Sequence, residues 1–345
     1  MDTVREAILW ERLEKGAVRC GLCHHRCRIA EGKRGLCGVR ENRGGTLHTL
    51  VYGRLVARNV DPIEKKPMFH VEPGSLSYSI ATGGCNFRCL HCQNYEISQV
   101  GRRGGPIPGR YAAPEDVVDD AVATGCRSVA YTYTEPTVYF EYALDCMQLA
   151  RRAGLLNVFV TNGYMTPECL DRIGALLDAA NVDLKAMTDE FYREVCGARL
   201  GPVLDTIREM VRRGVWVEVT TLVIPGRNDS EAELREIARF LVSVSPDVPW
   251  HVTGFFPTYR MTDVPPTPAS ALAGAREIGL GEGLRYVYTG NRPGSGGEDT
   301  VCPSCGTVVV GRLGFSLTTR NLTPEGRCGG CGHVIPGLNM GGGAP

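Results

Sequence analysis

The sequence predicts an α/β protein built on a parallel sheet that curls as a barrel or partial barrel, and three observations carry that expectation. Short apolar or β-branched runs recur at 76–81, 128–133, 157–161, 182–185, 216–223 and 250–255. Between them lie segments with helical signals at 114–123, 137–153, 167–180, 189–195 continued by 203–213, and 230–243, several opened by Thr, Ser or Asp and closed near Gly. Strands alternating with helices of this length imply βα units. The chain has 345 residues and is 43% hydrophobic, enough for one barrel-sized core with appendages rather than several equal domains.

Taken in order, Val4, Ile8 and Leu13 stand at near-helical spacing within 3–15 and predict an amphipathic N-terminal helix packed on the main body. Cys20, Cys23, Cys27 and Cys37 follow, with Gly32, Gly35 and Gly38 among them, enough for a closed four-thiolate site. Zinc and an auxiliary 4Fe-4S cluster both fit, and zinc leads because closed four-cysteine sites are common structural staples. His24 and His25 are alternative ligands, although exposed neighbours is the simpler reading of both. Residues 46–59 alternate and read as strand, and 61–67 as a turn-rich connector. A last candidate strand at 285–289 gives way to a Gly-rich linker over 291–298. Two knuckles, Cys302-x2-Cys305 and Cys328-x2-Cys331, are followed by Gly306 and Gly332. That ribbon spacing predicts structural zinc in preference to a second electron-transfer cluster. Residues 341–345 are expected to fray. The expected division is 1–70 for the helix and four-cysteine module, 71–290 for the barrel and 291–345 for the tail.

With 38 basic and 38 acidic residues the formal charge is zero, which predicts neither a nucleic-acid partner nor an anionic membrane surface. No apolar run reaches the roughly 18 residues of a membrane span, and residues 1–15 carry charges throughout, unlike a secretory signal, so a cytoplasmic protein is expected. Of fifteen cysteines, eleven fall in three short-spaced groups suited to metals, implying a reducing, oxygen-poor setting. Cys126, Cys146, Cys169 and Cys196 read as core filler.

The chemistry concentrates in 82–95, where Cys85, Cys89 and Cys92 share one short loop after a strand. No fourth protein ligand follows at short spacing. The simplest occupant is therefore a 4Fe-4S cube with three irons tied down and one open. Gly83 and Gly84 lack a Cβ and are expected to let the loop wrap closely around that core. In a parallel barrel the functional groups gather at the carboxyl ends of the strands. There the sequence offers Glu135, which also reads as a helix start, and Thr161 with Asn162, which also read as a turn. It also offers Asp183 and Lys185, which alternation places on one face, either as a binding pair or as a structural ion pair. Arg102, Arg103 and Arg110 are expected to be solvated rather than to clamp a substrate.

The Cys-x3-Cys-x2-Cys loop directly after a strand resembles the radical S-adenosylmethionine (SAM) superfamily. That resemblance implies a partial (β/α)6 barrel, a 4Fe-4S cluster with SAM bound at its open iron, an electron donor, and hydrogen abstraction by a 5′-deoxyadenosyl radical. It implies that Glu135 accepts the methionine amino group. Asp183-x-Lys185, with Thr161-Asn162-Gly163 before it and the run 221–229 after it, is similar to the glycyl-radical activases of the pyruvate formate-lyase activating group. There the matching lysine meets the SAM carboxylate and the aspartate helps hold the site. His91, placed with the cofactor-binding residues, stands where activases carry an aromatic, Val160 where they carry an acid, and His251 near their late barrel histidine. A closer resemblance spans nearly the whole chain. The four-cysteine module, the cysteine loop, Tyr133-Thr134-Glu135-Pro136-Thr137, the run 255–261, Tyr288-Thr289-Gly290-Asn291 and the C-terminal knuckles are together similar to the AmmeMemoRadiSam system radical SAM family. That name implies association with AMMECR-family and Memo-family proteins. The expected activity is thus radical SAM chemistry on an unidentified substrate, with two alternatives: a glycyl-radical activase, and a metal-stabilised interaction scaffold.

Overall fold

The computed structural model describes residues 3–292 and 296–342, so the expected linker at 291–298 and the terminal segment 341–345 lie partly outside the described residues, as does the side chain of Arg103. Its centre is a nine-stranded sheet. The strands are β1 (Arg54–Pro62), β2 (Leu76–Thr82), β3 (Arg110–Tyr111), β4 (Ser128–Tyr131), β5 (Leu156–Thr161), β6 (Ala179–Asp183), β7 (Trp216–Val223), β8 (Trp250–Gly254) and β9 (Val287–Gly290), in the order β9-β8-β7-β6-β5-β4-β2-β1-β3. From β2 to β9 along that order every pairing is parallel, while β1 pairs antiparallel with both β2 and β3.

The parallel strands read as nearly continuous apolar runs because both faces are covered, and all four residues of β4 are buried. Helices on the connections start where the sequence supplies caps. Thr166 accepts the N–H of Cys169 ahead of Pro167–Ile173, and Ser230 that of Glu233 ahead of Glu231–Val244. The helix Ala269–Gly281 was not expected, since its glycines argue against helix. Gly279 is required there: a Cβ would stand 2.9 Å from the Trp250 ring and from Val287.

At the N-terminus the expected helix is absent. Arg5–Glu6 and Trp10–Arg12 are strands instead, pairing with Thr46–Thr49 and Val18–Cys20. Leu9 between them takes a positive φ of 55°. The N–H groups of Ala7 and Ile8 go to the Leu47 carbonyl and the Glu141 carboxylate, so long-range pairing overrides the helical spacing. The expected strand 46–59 divides into Thr46–Thr49 and β1, and β1 joins the central sheet although it precedes the boundary expected at 70.

The tail forms an antiparallel sheet of Thr300–Val301, Val308–Leu313 and Ser316–Arg320. It is stitched to the main sheet by Arg312, whose fully buried guanidinium donates to the Phe69 carbonyl and to Thr300 Oγ1, and stands 3.7 Å from Glu64 Oε1.

Candidate functional site

The carboxyl ends of the parallel strands open on a cleft of about 610 Å³. Cys85, Cys89 and Cys92 line it together with His91, Glu135, Thr161, Asn162, Asp183 and Lys185, so the structure gathers every residue that the sequence singled out there. The cysteine loop leaves β2 and is fixed from three sides. Arg88 and Leu90 donate their N–H groups to the carbonyls of Cys196 and Val195, Arg260 donates to the Leu90 carbonyl, and Asn94 Nδ2 donates to the Tyr133 carbonyl at 2.7 Å. Arg102 is not a solvated surface group: its Nη2 donates to the carbonyls of Cys85 (2.9 Å) and Phe87 (2.7 Å). The two glycines do not face the cleft as expected. A Cβ on Gly83 would meet Val100 at 2.7 Å, and one on Gly84, at φ +100°, would meet Val39 at 2.6 Å and the Cys37 carbonyl at 3.0 Å. Gly84 lets the loop press onto the N-terminal cysteine module, and Gly83 lets it pack against Val100.

The polar groups on the cleft floor divide into those already satisfied and those with capacity to spare. Glu135 is buried, and its carboxylate accepts from Thr137 N, Thr137 Oγ1, Thr161 Oγ1 and Asn162 N at 2.5–3.1 Å. Three of these donors reach Oε1 and only Asn162 N reaches Oε2, so Oε1 is spent while Oε2 keeps a lone-pair site. Burial raises its pKa, with the Asn162 N–H opposing. Thr161 in turn accepts the Gly163 N–H, and Asn162 Nδ2 reaches Asn86 Oδ1 at 2.7 Å and Cys85 Sγ at 3.9 Å. Glu135, Thr161 and Asn162 therefore form a network that fixes the wall behind Cys85 and leaves an acceptor site on Glu135 Oε2.

Lys185 is the open donor. Its Nζ lies 3.0 Å from Asp183 Oδ2, and its charge is disfavoured by burial but held by Asp183 and the neighbouring thiolates, leaving its pKa well above the ordinary value. Of its three ammonium donors, this is the one hydrogen bond among the described residues. The run 221–229 turns out to brace that strand end. Thr221 Oγ1 donates to the Leu184 carbonyl at 2.8 Å, and Asn228 Nδ2 donates to the Lys185 and Leu222 carbonyls at 2.6 and 2.9 Å. His91 is buried with Nδ1 lacking a partner, and burial, with Lys185 adding to it, pushes its pKa down to about 3. His251 does not line the cleft; its Nε2 meets Glu218 Oε2 at 2.6 Å in the interior.

Several lining residues had escaped the sequence. Thr220 and Leu222 of β7 and Thr253 of β8 obey the same strand-end rule and could have been found by it. Lys66 lines the cleft with Nζ 2.6 Å from Asp61 Oδ2, and burial, opposed by Asp61, pulls its pKa down to about 8. Phe315, from the tip of the tail hairpin, reaches the cleft across the whole length of the sequence, and nothing local signals it. Cys196, expected as filler, sets its thiol against that of Cys89.

The other two cysteine groups differ from this one. Cys302 Sγ lies 3.7 Å from Cys331 Sγ, Cys305 Sγ lies 3.7 Å from Cys328 Sγ, and all four sulfurs fall within 4.8 Å of one another. Four sulfurs at about 2.3 Å from a tetrahedral centre would be about 3.8 Å apart, so this donor set fits one small metal ion. Cys20, Cys23, Cys27 and Cys37 instead surround a cavity of about 20 Å³. The three loop thiols line the cleft while Cys196, beside Cys89, does not, so the three fit a cluster with an open coordination position.

Residues 79–241 match the family model of the radical SAM superfamily. An uncharacterized protein of Methanocaldococcus jannaschii is 45% identical over 334 residues, which covers 96% of this chain and 99% of that protein. The pyruvate formate-lyase 1-activating enzyme of Escherichia coli is 23% identical over 166 residues, covering 46% of this chain and 65% of the enzyme. Among solved structures, a radical SAM methyltransferase from Sphaerobacter thermophilus shares the fold at a TM-score of 0.50, with 15% identity over 63% of this chain and 67% of that one. No helix among the described residues is long and apolar enough to cross a membrane. With the sheet, the three-cysteine loop and these similarities together, the chain belongs to the radical SAM superfamily, which makes it an enzyme and implies a 4Fe-4S cluster and SAM.

Proposed function

We propose that Cys85, Cys89 and Cys92 hold the 4Fe-4S cluster and that the cleft in front of them binds SAM together with a substrate that loses a hydrogen atom. The observation that carries this reading is that three thiols, and no fourth among the described residues, line a cleft of about 610 Å³ with the Lys185 ammonium on its wall. When bound, such a cluster passes one electron from an external donor to SAM, splitting the sulfonium to methionine and a 5′-deoxyadenosyl radical. The chain's own residues bind and orient. Lys185 supplies charge-assisted donors to the methionine carboxylate, and Asp183 positions it. Glu135 positions Thr137, Thr161 and Asn162, and the site left on its Oε2 is the acceptor for the methionine amino group in this reading. His91, with a free Nδ1, is a candidate contact beside the third cysteine. Thr220, Leu222 and Thr253 close the far wall and keep water from the radical.

A glycyl-radical activase is the second reading, and the similarity to named activating enzymes favours it. In the tail, the 3.7 Å sulfur pairs support structural zinc in a ribbon-like fold. AMMECR-family and Memo-family partners rest on the sequence resemblance alone, and the division at 70 and 290 on the connector at 61–67 and the Gly-rich linker at 291–298. The test is electron paramagnetic resonance of the reduced, anaerobically reconstituted protein. A 4Fe-4S signal of which part shifts on adding SAM is expected, and Cys92→Ala should abolish the SAM-responsive part; a SAM response unchanged in that variant sinks the assignment.

A further inference from the structure

We propose that Cys20, Cys23, Cys27 and Cys37 hold a second iron–sulfur cluster of the four-iron class, and not zinc, set directly behind the wall of the catalytic loop. The proposal stands on these four residues and their cavity, independently of what the cleft binds.

The two four-cysteine sites of this chain make the argument by contrast. The tail thiols have drawn together to the edge lengths of a single-ion tetrahedron. The N-terminal thiols have not: among the described residues the tail set is the group whose ligand atoms all lie within 4.8 Å of one another, whereas the N-terminal four ring a cavity of about 20 Å³, room for a water molecule. Four sulfurs closed on one zinc leave no such space between them. Sulfurs spread around a larger inorganic core do.

The lining supports the same occupant. Leu22, Ile29, Leu36 and Val138 make the cavity largely apolar, and Arg40 places one buried cation on its wall. The Arg40 guanidinium is fixed by Glu141 at 2.9 and 3.1 Å and by the Ile8 carbonyl at 2.9 Å, which leaves Nε buried without a partner. The unpartnered Nε gives the wall one buried donor for a cluster sulfur.

The position of the cavity also has meaning. Asn86 lines it, and Asn86 is the residue next to Cys85. His25 Nε2 meets the Asn86 carbonyl at 2.9 Å, while Gly84 has no room for a Cβ against Val39 and the Cys37 carbonyl. Asn86 thus bridges the two cysteine sites, and the missing Cβ of Gly84 permits their close approach.

The test uses the full chain with Cys85, Cys89 and Cys92 all replaced by Ala, purified anaerobically and reconstituted with ferrous iron and sulfide in the presence of an equal amount of zinc. About four iron and four sulfide per chain are expected to remain, with zinc confined to the tail. Adding Cys23→Ser and Cys27→Ser in that background should remove the iron and leave the zinc. Retention of a second zinc with no iron, or iron that survives the added serines, would overturn the proposal. Should the triple variant fold poorly, Mössbauer spectra of the unmodified chain decide the matter: about eight iron per chain support it, and about four overturn it. SAM is expected to perturb only the half held by the loop. Eight iron without any SAM response would count against the cleft reading and leave this one standing.

Discussion

Cys302, Cys305, Cys328 and Cys331 converge to 3.7 Å pairs, while Cys85, Cys89 and Cys92 line the head of a cleft of about 610 Å³. The donor atom is the same in both regions; what differs is the backbone that carries it. In the tail, each knuckle folds back on itself, with Gly306 N donating to the Cys302 carbonyl and Gly332 N to the Cys328 carbonyl, so two turns face each other and close the shell. In the loop, the N–H groups of Arg88 and Leu90 are tied to the distant carbonyls of Cys196 and Val195, so the thiols are displayed by their surroundings. A site closed by its own turns can be structural. One held open by the rest of the fold leaves a position for chemistry.

Arg312 offers the largest effect short of removing a cysteine. Its guanidinium and the Glu64 carboxylate are both fully buried, 3.7 Å apart, where the tail meets the main sheet. Arg312→Met would leave the carboxylate without its cation, and breaking a buried pair in this way costs about 3–5 kcal/mol. Chemical denaturation should show that loss. A cost below about 1 kcal/mol would mean that the tail is held by its thiols alone, and would weaken the contrast between a region that stabilises and one that reacts.

Lys185→Met comes next and bears on the open side of the comparison. Loss of a charge-assisted contact to a ligand carboxylate is worth about 1.5–3 kcal/mol, so SAM affinity should fall roughly ten- to a hundredfold with fold and cluster retained. Normal SAM binding with a lowered melting temperature would reduce Asp183 and Lys185 to a structural ion pair.

How much of this was legible in the sequence depends on whether the signal is local. The six expected parallel strands were readable because buried parallel strands are continuous apolar runs, and the cysteine groups because ligand spacing is written within a few residues. Asp183 and Lys185 do meet, although the strand expected at 182–185 is Ala179–Asp183 and Lys185 lies just past its end, so alternation alone does not place the lysine. What the sequence hid is long-range. Nothing near Leu9 announces that the N-terminus will pair with residues 46–49 instead of coiling, and nothing near Phe315 places it at the cleft. Glu135 shows a finer limit: its position was readable, but only the donors of Thr137, Thr161 and Asn162 reveal that Oε1 is taken while Oε2 has room.

The smallest effect comes from His70, which couples the tail to the main sheet by a proton. Its Nδ1 lies 2.6 Å from the Pro336 carbonyl, which can only accept, so Nδ1 carries the hydrogen and Nε2 accepts from the Tyr288 hydroxyl at 2.6 Å. Both contacts are satisfied by the neutral ring, and a second ring proton would face a hydroxyl that already points its own hydrogen there. Burial lowers the pKa from the ordinary 6.5 to about 4, with Glu218 opposing the shift. The unfolded chain therefore binds this proton at a higher pH than the folded chain does. Between those values the unfolded state holds more protons, so stability should fall as the pH drops through the window, with a slope of at most about 1.4 kcal/mol per unit from this group. Replacing His70 with Gln keeps a donor and an acceptor but removes the titration. The expected result is a flatter stability profile between pH 6.5 and 4 in urea denaturation, and a slope unchanged by the substitution would assign the acid sensitivity to other groups.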